Sequence, residues 1–300
     1  MNHTKCLFAI MAFVVAMASC SKEDVPEVNF KNPSASFQPS ADDQSLEAQL
    51  RQQFFQETGC YLLFNDTIQR DSLGIDINGE PRYFVETVDM TYVVGQTSSM
   101  STRYSYVYLA TDEQKQQVVG FLKQYILPHF SGKLRPYCWL LVDVINSKAS
   151  ETATPTKPYA ISNQRCLAVA ANYLLQRERT DAQLQQYAQR ILYAVIGQLA
   201  VNHSEAFSEF FKVSAPYYNA DYSAYGIEGK PTNDFLYSVG LLSSTGAVSF
   251  PSSTTDLGSY ALLVIQYDAD QIAQRYASYP LIQQKAALAR EALVQLGYVF

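Results

Sequence analysis

The chain has 300 residues, with 22 Lys and Arg against 28 Asp and Glu and a formal charge of -6. That balance argues against nucleic acid as a partner, because phosphate binding needs a basic surface and the cations here are scattered. Five cysteines at wide spacing, with nothing approaching CxxC, exclude a disulfide framework and a zinc knuckle.

Chain order begins with export signals. Lys5 gives a positive start, and the apolar run at 7–17 is shorter than the roughly 20 residues that a bilayer span needs. Met17-Ala18-Ser19-Cys20 then reads as a lipobox. Residues 1–19 are therefore expected to be a signal peptide, and Cys20 the lipidated residue that anchors the chain to a membrane. Ser21-Lys22-Glu23-Asp24 resembles the acidic tag that sends lipoproteins of Bacteroidetes to the cell surface, which implies an outer-membrane location facing the exterior. Residues 20–43, with Pro26, Pro33 and Pro39 among Ser, Asn and Asp, read as a flexible tether, and 44–300 as one domain.

Within that domain, Leu46, Leu50, Phe54 and Phe55 recur at helix spacing over 45–59, and Gly59 supplies the stop. Strands are predicted at 60–66 and, from alternation rich in Val, Tyr and Thr, at 82–94. Thr111-Asp112-Glu113-Gln114 fits a capping box, in which the hydroxyl and the amide each satisfy a free backbone N–H; its helix runs to about residue 125, and Pro128 ends it. The apolar run at 138–146 predicts a single strand covered on both faces, and 163–175 starts as strand and turns helical. Cys60, Cys138 and Cys166 read as buried free thiols, with one bridge open as the alternative.

Thr180-Asp181-Ala182-Gln183 repeats the capping box and opens the longest helix, to about His203. Its apolar stripe of Leu184, Ala188, Ile191, Leu192, Val195 and Leu199 puts it at the centre of the domain. Residues 216–237 carry Tyr217, Tyr218, Tyr222, Tyr225 and Tyr237 among Gly, Pro, Asn and Asp, the composition of a long functional loop. One helix from 253 to about 278 and another over 281–297, stopped by Gly297, close the chain. The sum is an α+β fold: a small mixed β-sheet packed against a long central helix, with a helical C-terminal part.

The order of FFQETGCYLLFND, RCLAVAANYL, TDAQLQQYAQRILYAVIGQLA, GLLSS, FPSSTTDLGSYALLVI and YPLIQQKAALAREALVQLGYVF resembles that of the zinc-binding metallopeptidase lipoproteins of Bacteroidetes, which often accompany outer-membrane nutrient-uptake systems. The resemblance implies a zincin-like fold whose long helix carries HExxH. Two histidines four apart lie on one side of a helix and grip a zinc ion, while the glutamate activates the bound water. In this chain the motif falls on Gly197, Gln198 and Val201. Gly197 and Val201 bring no donor atom, and the neutral amide of Gln198 takes no proton from water. Beyond residue 19 the histidines are His129 and His203, on different predicted elements, whereas a catalytic zinc typically takes three protein ligands. A family scaffold without these ligands implies a non-catalytic binding protein that uses no zinc and no other cofactor. Its ligand would be a peptide or a glycan, and its partners outer-membrane uptake proteins.

Other constellations are thinner. His203 and Glu205 could join Asp256, which falls near the family's third ligand; otherwise His203 is a solvated helix-end residue and Asp256 part of a helix cap. Cys166 with His203 is a conceivable nucleophile pair that no sequence context supports. Tyr218, Tyr222 and Tyr225 are the expected wall of a cleft. Gly197 in mid-helix, about 1 kcal/mol less favourable than alanine, points to something packed against its bare backbone. Two further readings stay open: a carbohydrate hydrolase with two carboxylates facing each other in one pocket, and an adhesive protein, which expects no deep pocket near Gly197.

Overall fold

Two runs without a charged residue, β5 (Cys138–Val142) and β8 (Cys166–Ala170), form the middle of a four-stranded sheet and are buried at every position. In this computed structural model residues 36–91, 102–163, 165–244 and 246–300 are described, with Val201 by its backbone alone; Cys20 and residues 92–94 of the second predicted strand lie outside them. The sheet order is β1 (Tyr61–Leu63), β5, β8 and β7 (Ala160–Ser162), the first three parallel and β7 antiparallel at the edge. Because side chains alternate along a strand, the sheet divides two cores. Leu62, Trp139, Leu141, Leu167 and Val169 face the helices, while Leu63, Leu140, Val142 and Ala168 face a smaller cluster closed by Phe37 and Ile145.

The helical side is organised by α4 (Asp181–Asn202), which starts at Thr180 with the capping box that the sequence predicts. Its Ile191, Leu192 and Ile196 are enclosed, and full burial of each such side chain contributes about 1.5–3 kcal/mol. It packs on β7, on α7 (Ser253–Gln266) and on the π-helical turn at Leu122–Ile126. That turn continues α2 (Asp112–Phe121), which follows α1 (Leu46–Thr58) in chain order among the helices of more than four residues. Short helices α3 (Asn172–Leu175), α5 (Ser208–Val213) and α6 (Asn233–Ser238) come between the long ones, and α8 (Ala269–Arg275) and α9 (Pro280–Leu296) end the chain. Phe37–Phe300 form one packed unit of mixed α+β structure with small sheets and a helical C-terminal part.

Three segments depart from the predicted elements. The run at 138–146 is two strands: β6 (Val144–Lys148) leaves the sheet to pair antiparallel with β4 (Arg103–Val107). The turn-out is at Asp143, whose N–H donates to Val107 O at 2.8 Å while its carbonyl accepts from Asn172 N–H at 2.8 Å. The helix expected from 253 to 278 breaks at Tyr267, because Asp268 caps a new helix: its carboxylate accepts from Gln271 N–H at 2.8 Å, and the Gln271 amide accepts from Asp268 N–H at 3.0 Å. Residues 67–75, predicted as nothing regular, form β2 (Thr67–Ile75), which pairs antiparallel with β3 (Pro81–Thr87). In β2 Ile68 is buried while Leu73 and Ile75 are exposed, so no alternating apolar face marks that strand in the sequence; β3 overlaps the strand predicted at 82–94.

Candidate functional site

An open groove of about 640 Å³ runs between the approach to β7, one face of α4 and the C-terminal end of α7. Helix α4 supplies Gln186, Arg190 and Tyr193, spaced by four and three so that they stand on one side. Tyr159 comes from the β7 approach, and Gln266 and Tyr267 from the end of α7. The Arg190 guanidinium donates through Nη1 to Tyr159 Oη at 2.8 Å. Tyr159 is held edge-on against Tyr187, ring centroids 5.6 Å apart. Tyr187 is itself buried, with its hydroxyl donating to the Ala170 carbonyl, and burial pushes its phenol well above the ordinary range. Beyond Tyr267, outside the groove's lining, Arg275 Nη1 lies 3.5 Å from Tyr267 Oη, with its guanidinium carbon 5.2 Å from that ring's centroid. No Asp or Glu lines this groove. It offers flat aromatic faces, amides that both donate and accept, and guanidinium donors.

Gly197, Gln198 and Val201, where the resemblance would set a zinc motif, continue α4 one turn beyond the groove. A Cβ built on Gly197 would meet only Tyr193 Cε2, at 3.9 Å, an ordinary contact. The expected close packing against its backbone is absent, because the neighbouring ring stands off by a full van der Waals distance. Gln198 is exposed and its Nε2 donates to Asn202 Oδ1 at 2.9 Å; the Val201 side chain lies outside the described residues. His203 is on the surface, its Nδ1 3.3 Å from Glu205 Oε1. Among the described residues no three His, Cys, Asp or Glu side chains come together as a metal set. A zinc ion does not fit the donors that α4 presents at Gly197 and Gln198.

Asp256 sits elsewhere, in a sealed chamber with Lys285, which is 0% exposed. The Lys285 ammonium donates to Asp256 Oδ2, to Ser214 Oγ at 2.9 Å and to Gly240 O at 2.9 Å. Tyr218 Oη donates to the same Asp256 oxygen at 2.8 Å. The Phe210 and Tyr260 rings lie 4.4 and 4.8 Å from Nζ, so aromatic faces complete the cation's surroundings. Gly240 is needed there: its φ is +77°, and a Cβ would press on Ser214 Oγ at 3.0 Å and Lys285 Cδ at 3.1 Å. Burial pushes the Asp256 carboxyl up and the Lys285 ammonium down, and each partner's charge works against that shift. Ser214 beside Lys285 has the atoms of a serine–lysine nucleophile, yet both are 0% exposed and neither lines a described cavity. The chamber ties α5, the Gly240 turn, α7 and α9 together. It was legible in part, since Lys285 falls on the apolar stripe of Ile282, Ala286, Ala289 and Leu293, where a charge needs a partner.

The remaining predicted residues separate. Tyr222 is 2% exposed, its ring edge-on to Phe250 at 4.8 Å inside a cluster with Leu236 and Leu241. Its ring is packed inside that cluster, and the residue meets open space where it lines a small cavity with Asp221 and Glu228. Tyr225 is partly exposed and donates to Pro216 O at 2.5 Å. The 216–237 segment is thus ordered by packing of its own aromatics, including a 3₁₀ turn at Tyr222–Tyr225 and α6. Cys60, Cys138 and Cys166 are free and buried, Cys138 beside Cys166 in register. Burial raises the Cys166 thiol well above its ordinary value, so it makes no nucleophile with the surface His203. Smaller cavities also open among the described residues. One of about 480 Å³ is lined by Tyr125, His129 and Asp181, and one of about 390 Å³ by Asp221, Tyr222 and Glu228. Comparison of the chain with family models, with curated proteins and with solved structures finds no match.

Proposed function

We propose that this chain is a surface lipoprotein, anchored through Cys20, whose zincin-like scaffold binds a peptide or a glycan without hydrolysing it. One observation carries the reading: a groove of about 640 Å³ walled by Tyr159, Arg190, Tyr193 and Tyr267 follows the same helix that bears Gly197 and Gln198 in place of ligands. A parallel sheet ending in an antiparallel edge strand, with the long helix packed on that strand, is consistent with the zincin-like arrangement. Walls and metal are separate features of such a cleft, so recognition can outlast chemistry. Partners in this reading are outer-membrane uptake proteins that receive the captured ligand. Among the described residues no helix is long and apolar enough to cross a membrane.

The test is binding of the full chain to arrays of peptides and oligosaccharides, repeated with Tyr193→Ala and Tyr267→Ala. Binding that falls at least tenfold in both variants, at unchanged melting temperature, supports the groove; binding untouched by either sinks it. Elemental analysis after dialysis without chelator is expected to find no stoichiometric zinc.

A second reading has its own observation. Asp221 and Glu228 line one cavity, and a carboxylate-based carbohydrate hydrolase needs two such groups facing each other in one pocket. If it holds, the full chain releases reducing ends from some polysaccharide and Asp221→Asn stops it; release that survives Asp221→Asn and Glu228→Gln rules it out.

A further inference from the structure

We infer that the groove takes an acidic saccharide, with Arg190 as the residue that reads the carboxylate. This rests on the groove being the binding site. The single formal charge in its lining is Arg190, in a chain whose overall charge is -6. An unselective surface of this protein would present carboxylates; this one presents none. Arg190 spends one donor on the neutral Tyr159 hydroxyl at 2.8 Å. Among the described residues it has no carboxylate partner within ion-pair distance, and the same is true of Arg275 beyond Tyr267. A guanidinium has five N–H donors in a planar fork that matches a carboxylate two bonds at a time, so most of that capacity is open on Arg190.

Saccharide rather than peptide follows from what the walls lack. The groove touches the chain at Pro158 and Tyr159, just before β7. Pro158 has no N–H, and the Tyr159 carbonyl already accepts from Ala170 N–H at 2.9 Å. A peptide lying in the groove would find little backbone to pair with at these two residues, and the free edge of β7 beyond them does not line the groove. What remains is side chains: the rings of Tyr159, Tyr193 and Tyr267, whose apolar faces suit the C–H face of a pyranose, and the amides of Gln186 and Gln266, which can each donate to and accept from hydroxyls. One ring system carrying both hydroxyls and a carboxylate answers all of these at once.

The experiment titrates the full chain in detergent with tetragalacturonate, tetramannuronate and sialyllactose, each beside its methyl ester, which keeps the rings and removes the charge. At least one acid is expected to bind ten or more times tighter than its ester. Arg190→Gln should erase that preference, and Arg190→Lys, which keeps charge and loses the fork, should restore only part of it. The preference should also shrink between 50 and 500 mM salt, as exposed charge pairs do. Acids and esters binding alike, or a preference that survives Arg190→Gln, overturns the inference while leaving the groove as a binding site. Neutral sugars or peptides that bind and lose affinity with Tyr193→Ala, with no acid binding, do the same. Binding of any of these probes that ignores Tyr193→Ala and Arg190→Gln together removes the groove itself.

Discussion

Lys285 and Arg190 are both cations set among tyrosines, the first wholly enclosed and the second open to solvent. Around Lys285 every donor is matched: a carboxylate, a serine hydroxyl and a backbone carbonyl, with aromatic faces beneath. Arg190 engages Tyr159, through its hydroxyl and through a ring whose centroid lies 5.6 Å from the guanidinium carbon, and no carboxylate among the described residues. A sealed charge with all partners in place fixes how helices meet; a half-matched charge on a groove wall is free to meet something else. The contrast separates architecture from recognition, and each of the following outcomes would blur or sharpen it.

The largest effect is expected at the chamber. Lys285→Met leaves Asp256, already with Oδ1 unpartnered, as an unpaired buried carboxylate, and should cost about 3–5 kcal/mol. For a unit of this size that is a fall in melting temperature on the order of 10 °C. The double variant Lys285→Met with Asp256→Leu removes both charges and should recover most of it. Arg190→Gln, on the surface, should stay within about 0.5 kcal/mol of the parent. If Lys285→Met melted with the parent protein, the chamber would not be structural and Ser214 beside Lys285 would have to be reconsidered as chemistry.

Much of this frame could be read before any coordinates. The capping boxes at Thr111 and Thr180 use local hydrogen bonds, and both form as the residues dictate. The runs at 138–142 and 166–170 are apolar because they are covered on both faces, which is a property of the residues themselves. The groove was not legible, because Tyr159, Arg190 and Tyr267 are distant in the chain and meet only through packing of β7, α4 and α7. Asp256 looked like a capping or ligating carboxylate for the same reason: Lys285, 29 residues on, leaves no spacing signal. The break at Asp268 is legible as well, since Asp268 and Gln271 repeat the spacing of the capping boxes at Thr111 and Thr180.

Next in size is Tyr222. Tyr222→Ala empties the cluster around Phe250 and Leu241 and should cost about 3 kcal/mol or more, measured by chemical denaturation. Tyr225→Ala, whose ring is partly exposed, should cost no more than about 1–2 kcal/mol. Equal losses would mean that the 216–237 segment is not packed as one cluster, and would return Tyr222 to the list of cleft residues.

The tyrosines also set an alkaline limit. Tyr108 is pushed up to about 12, first by burial and then by its hydrogen bond to Asp66. Burial raises Tyr187, Tyr218, Tyr260 and Tyr298 further. A phenol whose folded value lies above its unfolded value of 10.0 favours the fold fully below that pH, and the contribution is lost as pH climbs through the folded value. Absorbance at 295 nm should therefore show a late rise, in which Tyr187, Tyr218, Tyr260 and Tyr298 ionise only together with loss of the circular dichroism signal. A single early transition with the fold intact would show that the chamber and the Tyr187 stack admit water.

The smallest effect bears on the motif positions themselves. If Gly197 were held by something pressed against its backbone, Gly197→Ala would clash and destabilise. Instead the added methyl meets only Tyr193 Cε2 at 3.9 Å on a regular helix, so the change should stabilise by up to about 1 kcal/mol through helix propensity alone. The variant is therefore expected to melt a degree or two higher. Since Tyr193 also walls the groove, the same variant asks whether the two places are coupled. Ligand affinity unchanged within twofold keeps Gly197 as a helix position without a contact role. A tenfold loss at raised stability would instead put Gly197 inside the binding surface, with the Tyr193 ring as the link.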